Sequence, residues 1–370
     1  MNRYFYYLII VNMLANIVAS VPRILLDARE KGAIASMILA LIIASMVTYI
    51  TASFFNKFPG KGLPELLKEY TPKWVTIPLL MILTFGWFSS GLTTLINYSF
   101  LLKRFLTPDM SIQWIVSIFL CFISFGILMS SKSVLYTIET VLVFNIPLVF
   151  IIMIKAYTSE GMEWDFIKKS AMYIYHTPSY SAFSAFLFSA AGAGNLIIFN
   201  RVFTKKQRIT WLQLGLIFFM LTGSLATTYF VPMGYNGFES VDRIVYPWIR
   251  TSDAMRLDFG FVERVLFIFL MLYLAVSFLS ILMHWHVAIE LLKKVIWLKW
   301  FKWKKRNLTP YLFIGVFWFI SLQTSSHLTE YQVTLYTGYF FNGLLAFLIS
   351  ALLVFWFIKR RAQAREVPKP

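Results

Sequence analysis

Apolar stretches of about 20 residues, separated by short polar or charged joints, recur along almost the whole chain. A helix of that length crosses the hydrocarbon core of a bilayer. The pattern predicts ten membrane spans at approximately 4–26, 32–55, 76–102, 112–130, 133–156, 180–200, 210–233, 261–290, 309–326 and 333–358. Two of them are damaged. The first is interrupted by Ser20-Val21-Pro22-Arg23, and the sixth by Ser189-Ala190-Ala191-Gly192-Ala193-Gly194-Asn195.

Lipid offers no partners to backbone amides and carbonyls, so a broken helix is tolerated only where protein or a polar cavity surrounds it. Pro22 has no amide hydrogen and clashes with the turn before it, so the first span is expected to kink or unwind near residues 18 to 22. Gly192 and Gly194 lower helix propensity and let a ligand approach the backbone. Ser20 and Gly192 lie 172 residues apart, with five spans on each side of Pro178. That spacing fits a five-plus-five inverted repeat with its binding site at the midplane, between broken members one and six. Free amides there suit a carboxylate and unwound carbonyls suit an ammonium, and an amino acid carries both. The competing account is an ordinary proline kink and a small-residue stripe for tight helix packing.

Composition agrees with membrane residence: 59% of the 370 residues are hydrophobic and 14% charged, with 37 Phe and 12 Trp. The first apolar run starts close to Met1 and lacks a small-residue cleavage site, so it is expected to be retained as a span. With ten spans both termini share a side. Placing them inside puts 22 of the 34 Lys and Arg residues in the inner group, while 12 of the 17 acidic residues fall outside. The positive-inside bias therefore predicts cytoplasmic termini. The net charge of +17 is accounted for by topology signals and headgroup contacts. Trp297, Trp300 and Trp303 recur among the lysines of 293–306 and read as an interfacial anchor. Residues 158–178 suit a helix at the outer interface, and 234–260 suit a cap over an outer vestibule. The chain is expected to be one membrane domain, 1–370, with repeats at about 4–156 and 180–358 and a short tail at 359–370. No connection is long enough for a fused catalytic domain.

Ionisable groups within spans are costly and usually functional. Glu139 sits about two turns into the fifth span and reads either as a proton-linked acid or subunit contact, or as a side chain reaching the face beside Lys132. Lys155 anchors the end of that span, and Glu263-Arg264 and Glu290 fit helix-end ion pairs at the borders of the eighth. His284 and His286 are two apart, so their imidazoles point about 200° away from each other on a helix and are not expected to share a metal ion. Ser277 and Ser280 could face a cation at the first break, or bond back to their own helix. Lone Cys121 excludes an intrachain disulfide. There is no P-loop, dinucleotide fingerprint or nucleophile elbow, so neither enzyme activity nor a cofactor nor a metal is expected.

Three motifs carry a resemblance. They are Ala19-Ser20-Val21-Pro22-Arg23 at the first break, the Ser/Phe-rich approach from Phe183 to Asn195, and Tyr246-Pro247 followed by Phe261-Val262-Glu263-Arg264. In order and spacing over Arg3 to about Arg361 the chain resembles the B subunits of spore germination receptors. These are a branch of the amino acid–polyamine–organocation superfamily of LeuT-like fold. The resemblance implies an all-α polytopic protein with broken helices one and six. It also implies nutrient sensing in the spore inner membrane, with a membrane A subunit and a lipoprotein C subunit as partners. A germinant, commonly an amino acid, would lie among Ile17, Val18, Ala19 and Ser20 of span one and Ser189, Ala190, Ala191, Gly192 and Ala193 of span six. Thr94, Tyr98, Tyr273 and Ser277 would wall that pocket. A proton- or sodium-coupled amino acid or polyamine transporter shares this fold and is the alternative. Relatives carry glycines where this chain has Ala15 and Ile17, and a β-branched Ile disfavours the backbone angles that Gly allows. An alanine-like ligand is therefore not expected to fit closely.

Overall fold

The computed structural model describes residues 2–18, 20–206, 208–256, 263–298, 301–303 and 306–366. The protein is an all-α polytopic membrane protein. Among the described residues seven helices are long and apolar enough to cross a membrane, and eight if the bent pair at the N-terminus counts as one span, fewer than the ten the pattern predicts. That pair is α1 (Arg3–Asn16) and α2 (Ser20–Asp27), bent by 61°. There follow α3 (Ala33–Asn56), the short α4 (Leu63–Tyr70), α5 (Lys73–Phe105), α6 (Ile112–Ile127) and α7 (Ser131–Thr158). The short α8 (Trp164–Ala171) lies in the 158–178 connection, where the sequence pattern placed a helix. The sixth apolar stretch is α9 (Tyr180–Ala190), a 3-10 segment (Ala191–Asn195) and α10 (Leu196–Phe199). Then come α11 (Trp211–Asn236), α12 (Pro247–Ala254), α13 (Val265–Val295), α14 (Thr309–His327), α15 (Glu330–Asn342) and α16 (Leu344–Glu366). The last two form one long apolar span. In the basic connection 293–306 the described strand pair is minimal: Lys302–Trp303 against Arg306–Asn307. Trp297 is half exposed there; Trp300 lies outside the described residues, as does the side chain of Trp303.

Side-chain caps set several helix starts, since the first turn leaves amides without partners. Ser111 and Ser130 cap α6 and α7, and Thr210 and Thr329 form capping boxes with Gln213 and Gln332 at α11 and α15. Gly32, at φ +66°, makes the left-handed turn into α3, tight against the backbone at Thr177. Helix interiors carry many hydroxyls that bond back one turn, such as Ser99 to Leu95 O and Thr228 to Ser224 O. They thereby meet their polar needs without lipid.

Packing sorts the helices by exposure. The stretch 180–202 is enclosed by protein, with 89% of its apolar window buried, whereas only 17% of the corresponding window of 330–365 is. α13 runs along α5, and α3 and α1 flank α9 and its 3-10 continuation. Large apolar side chains such as Phe85, Trp114, Phe144 and Phe219 stand exposed on the outer surface, as a lipid-facing belt requires.

The two ends of the bundle differ in charge. At one end Arg201 bonds Glu65 (2.9 Å) and Glu290 (2.7 Å), Lys293 reaches Glu290, Lys294 reaches Glu65, and Arg365 and Arg361 approach the carbonyls of Glu69 and Tyr70. At the other end lie Arg23 with Asp27, Arg29 with Asp242, and Lys169 with Glu239. Burial pushes the Glu65 carboxyl up, but Arg201 and Lys294 outweigh it and hold the group below its usual range.

Candidate functional site

Both breaks form, and neither has quite the shape the sequence suggested. In the first span the chain leaves helix at Ile17 and Val18, beyond α1, and Ala19 lies outside the described residues. Pro22 does not sit in the break. It occupies the first turn of α2, where a missing amide hydrogen costs nothing because that donor would have no helical partner. Ile17 has an ordinary right-handed helical backbone (φ −63°, ψ −29°), so the position places no demand for glycine. In the sixth stretch the interruption is a tightening from α to 3-10 winding over Ala191–Asn195, not an unwound gap. Gly192 and Gly194 both keep negative φ.

The sixth stretch crosses the first span within α1, about two turns before the first break, and Gly192 makes the crossing possible. A Cβ at this residue would lie 2.6 Å from Ile9 Cα and 2.7 Å from the Leu8 carbonyl, so the backbones meet with no room for a side chain. The packing account of this glycine is the one its surroundings support. Gly194 is looser: a Cβ there would touch only the Trp87 ring, at 3.5 Å. One turn before the first break, Asn12 donates both its amide hydrogens across the crossing, to the carbonyls of Phe188 (2.8 Å) and Ser189 (2.9 Å). Those carbonyls stand where the helix changes pitch. Further along, Asn195 donates to Gly192 O (3.1 Å) and accepts from Trp87 Nε1 (2.8 Å), which ties the 3-10 segment to α5.

The other nominated residues meet on the opposite side of the first break. Tyr273 on α13 donates to Ala15 O, close to the end of α1 (3.1 Å), and its ring stands edge-on to Tyr98 at 5.2 Å. Tyr98 in turn donates to Leu270 O. Ser20 reaches Asn97 Oδ1 at 3.4 Å, so α2 is pinned to α5. Thr94 bonds back to Ser90 O. Ser277 is buried, and its Oγ has no hydrogen-bond partner among the described residues; Ser280 turns to His284 Nδ1 (3.3 Å). Ile17, Val18 and Tyr273 share a cavity of about 60 Å³ with Leu14, Trp248 and Val276. That is far below the roughly 300 Å³ at which small-molecule pockets begin.

Nominated residues are therefore brought close without enclosing one cavity. Ala190, Ala191, Ala193 and Gly194 line spaces on the far side of the crossing, while Ser189 and Gly192 are consumed by the contact with α1. A cavity of about 430 Å³ opens at the end of the bundle opposite the Arg201 cluster, where the first span finishes and the sixth begins. Arg23, Asp27, Lys31, Ser179, Ser181 and Asn342 give it its polar lining. Arg23 is held there by Ile244 O (2.6 Å) and Asp27 (3.3 Å). Val245, from the 234–260 connection, closes one side of it.

Glu139 pairs with Arg3 at 2.7 Å near the basic end of the bundle. His284 and His286 point to different places, since Nδ1 of one bonds Ser280 O and that of the other Ile127 O. Among the described residues, no group of three or more His, Cys, Asp or Glu side chains is placed to hold a metal ion. Sequence reasoning missed Asn12, Asn97 and Trp87. The available signal was an amide within an otherwise apolar run, because a buried amide must find partners and tends to fasten whichever backbone it reaches.

The sequence profile of the spore germination protein family matches residues 2–329. No curated protein matches the chain.

Proposed function

We propose, on the premise that the chain belongs to the spore germination protein family, that it is the membrane subunit of a nutrient-germinant receptor. In this reading the spans form a LeuT-like five-plus-five repeat, both termini face the spore core, and a small nutrient binds beside the crossing of spans one and six. The subunit passes the resulting movement to an A-type membrane subunit and a lipoprotein C subunit, and catalyses no reaction.

One observation carries the reading: the two broken spans meet at a joint held by Asn12 on the carbonyls of Phe188 and Ser189. A side chain can be replaced at such carbonyls by an ammonium or amide of a ligand without unfolding either helix. The cavity of Arg23, Asp27 and Lys31 supports the same reading, because it offers both charges that an amino acid would meet on its way in. Deletion of the gene in its sporulating host, scored for germination with amino acids, sugars and nucleosides, is the direct test. Loss of the response to at least one nutrient is expected. Unchanged germination with every nutrient, in a strain stripped of other receptors, would refute it.

The alternative is a proton- or sodium-coupled amino acid or polyamine transporter. The ion-pair cluster around Arg201 favours it, because a closed charged end is what a transport cycle has to open. Saturable, gradient-driven uptake by the purified chain in proteoliposomes would establish transport, and its absence would return the weight to sensing.

A further inference from the structure

A cavity of about 360 Å³ lies between α5, the 3-10 segment, α13 and the junction of α15 with α16. It is separate from the polar cavity described above, and no Asp, Glu, Lys or Arg lines it. Its walls are rings and aliphatic chains, among them Trp87, Phe188, Phe340 and Phe347. Ile82, Phe85 and Tyr339, at its rim, are exposed on the outer surface of the bundle, so the cavity opens sideways into the region that lipid occupies. Gly86 and Gly343 border it and leave the space open.

Against these apolar walls stand polar groups with nothing to bond. Ser90 is 3% exposed, and its Oγ has no hydrogen-bond partner among the described residues. A buried hydroxyl left this way costs about 1–3 kcal/mol, so such groups call for an explanation. His284 lines the same space and is 5% exposed. Its Nδ1 lies 2.7 Å from Ser280 O, which can only accept, so Nδ1 carries the proton. In the neutral ring Nε2 is then an acceptor, and no described residue bonds it. Asn12 also lines the cavity and has spent both amide hydrogens on Phe188 and Ser189, so only its Oδ1 remains.

We propose that this cavity binds a small, uncharged amphiphile bearing one hydroxyl, of the alkylphenol or aliphatic alcohol class, which enters from the bilayer. The ligand hydroxyl donates to His284 Nε2 and accepts from Ser90 Oγ, while its apolar body fills the space between Phe188, Phe340 and Phe347. A charged ligand is excluded, because the lining has no counter-ion and burying an unpaired charge is far costlier than burying a hydroxyl. The site is independent of the nutrient reading above and stands or falls without it.

The test uses the purified full chain in lipid nanodiscs, with labelled 4-propylphenol and propylbenzene and empty nanodiscs to subtract partitioning. The two probes differ by the hydroxyl alone. The expected result is saturable binding with 4-propylphenol favoured by at least about tenfold, as hydrogen bonding of its hydroxyl to otherwise unpaired buried groups predicts. Ser90→Ala and His284→Phe should each erase most of that preference. Ser90→Ala should melt no lower than the wild type, because it removes an unpaired group, so its effect cannot be ascribed to misfolding. Gly86→Leu should abolish binding of both probes. Equal binding of the two probes by the wild type, or a preference that survives both Ser90→Ala and His284→Phe, would overturn the proposal. So would release of a tightly held lipid by Gly86→Leu, which would make an acyl chain the occupant.

Discussion

Replacing Gly192 by alanine tests the crossing most directly. The added Cβ would have to occupy a point 2.6 Å from Ile9 Cα, 2.7 Å from Leu8 O and 3.1 Å from Asn12 Cβ. The first two are backbone atoms and cannot turn aside as a side chain would, so α1 and the 3-10 segment must separate. Overpacking of this kind costs about 1–3 kcal/mol. Separation also stretches the two bonds from Asn12, and interhelical hydrogen bonds in membrane proteins contribute about 0.6 kcal/mol each. The sum is about 2–4 kcal/mol. Reversible unfolding in mixed micelles, followed by helical circular dichroism, measures it. Gly194→Ala is the matched control: its Cβ meets only a ring at ordinary contact distance, and a change of less than about 0.5 kcal/mol is expected. If the two variants unfold alike, with Gly192→Ala as stable as the wild type, the close approach of the two broken spans is not real.

Other changes probe neighbouring contacts. Asn12→Leu keeps the branched shape and heavy-atom count of the side chain and removes both donors, so a loss of about 1–2 kcal/mol is expected in the same assay. No loss would show that the joint is not held by the amide. Tyr273→Phe removes the hydroxyl that bonds Ala15 O and should cost about 0.5–1.5 kcal/mol; its germination response should weaken at subsaturating nutrient, and an unaltered dose curve would count against a role at the break. Glu65 is held below its usual range by Arg201 and Lys294, despite burial acting the other way. Its contribution is therefore complete above the unfolded-state value and is lost as pH falls through the lower folded-state value. Unfolding free energies from about pH 6 down to about pH 3 should fall more steeply for the wild type than for Glu65→Gln; parallel curves would remove Glu65 from the account.

The apolar segments could be read from sequence because hydrocarbon imposes one length and one composition: helices lie at the expected stretches, but among the described residues only seven, or eight with the bent pair as one, are long and apolar enough to cross a membrane. Their ends were equally accessible where a capping residue stands, as at Ser130 and Thr210. The breaks were located but misread in detail. Pro22 was taken for the cause of the first break, yet a proline in a first turn only marks where the second half-helix begins. Gly192 was taken for a residue that admits a ligand. Its lack of a side chain admits a second backbone, and composition alone cannot tell these apart. The bonds of Asn12, Asn97 and Trp87 were hidden for a simpler reason: each joins segments far apart in sequence, and no local pattern records who the partner is.

The enclosure of residues 180–202 bears on how the molecule is made. A helix that meets lipid on most of its surface, as 330–365 does, can dock last by drifting sideways in the bilayer. One with nine-tenths of its apolar window covered cannot, because its place exists only once neighbours stand on all sides. Of its neighbours, α1, α2 and α3 are synthesised before it and α13, α15 and α16 after it. The later helices are therefore expected to close over a half-built cradle, completing the shelter of the small, polar-flecked centre only when the chain is nearly whole.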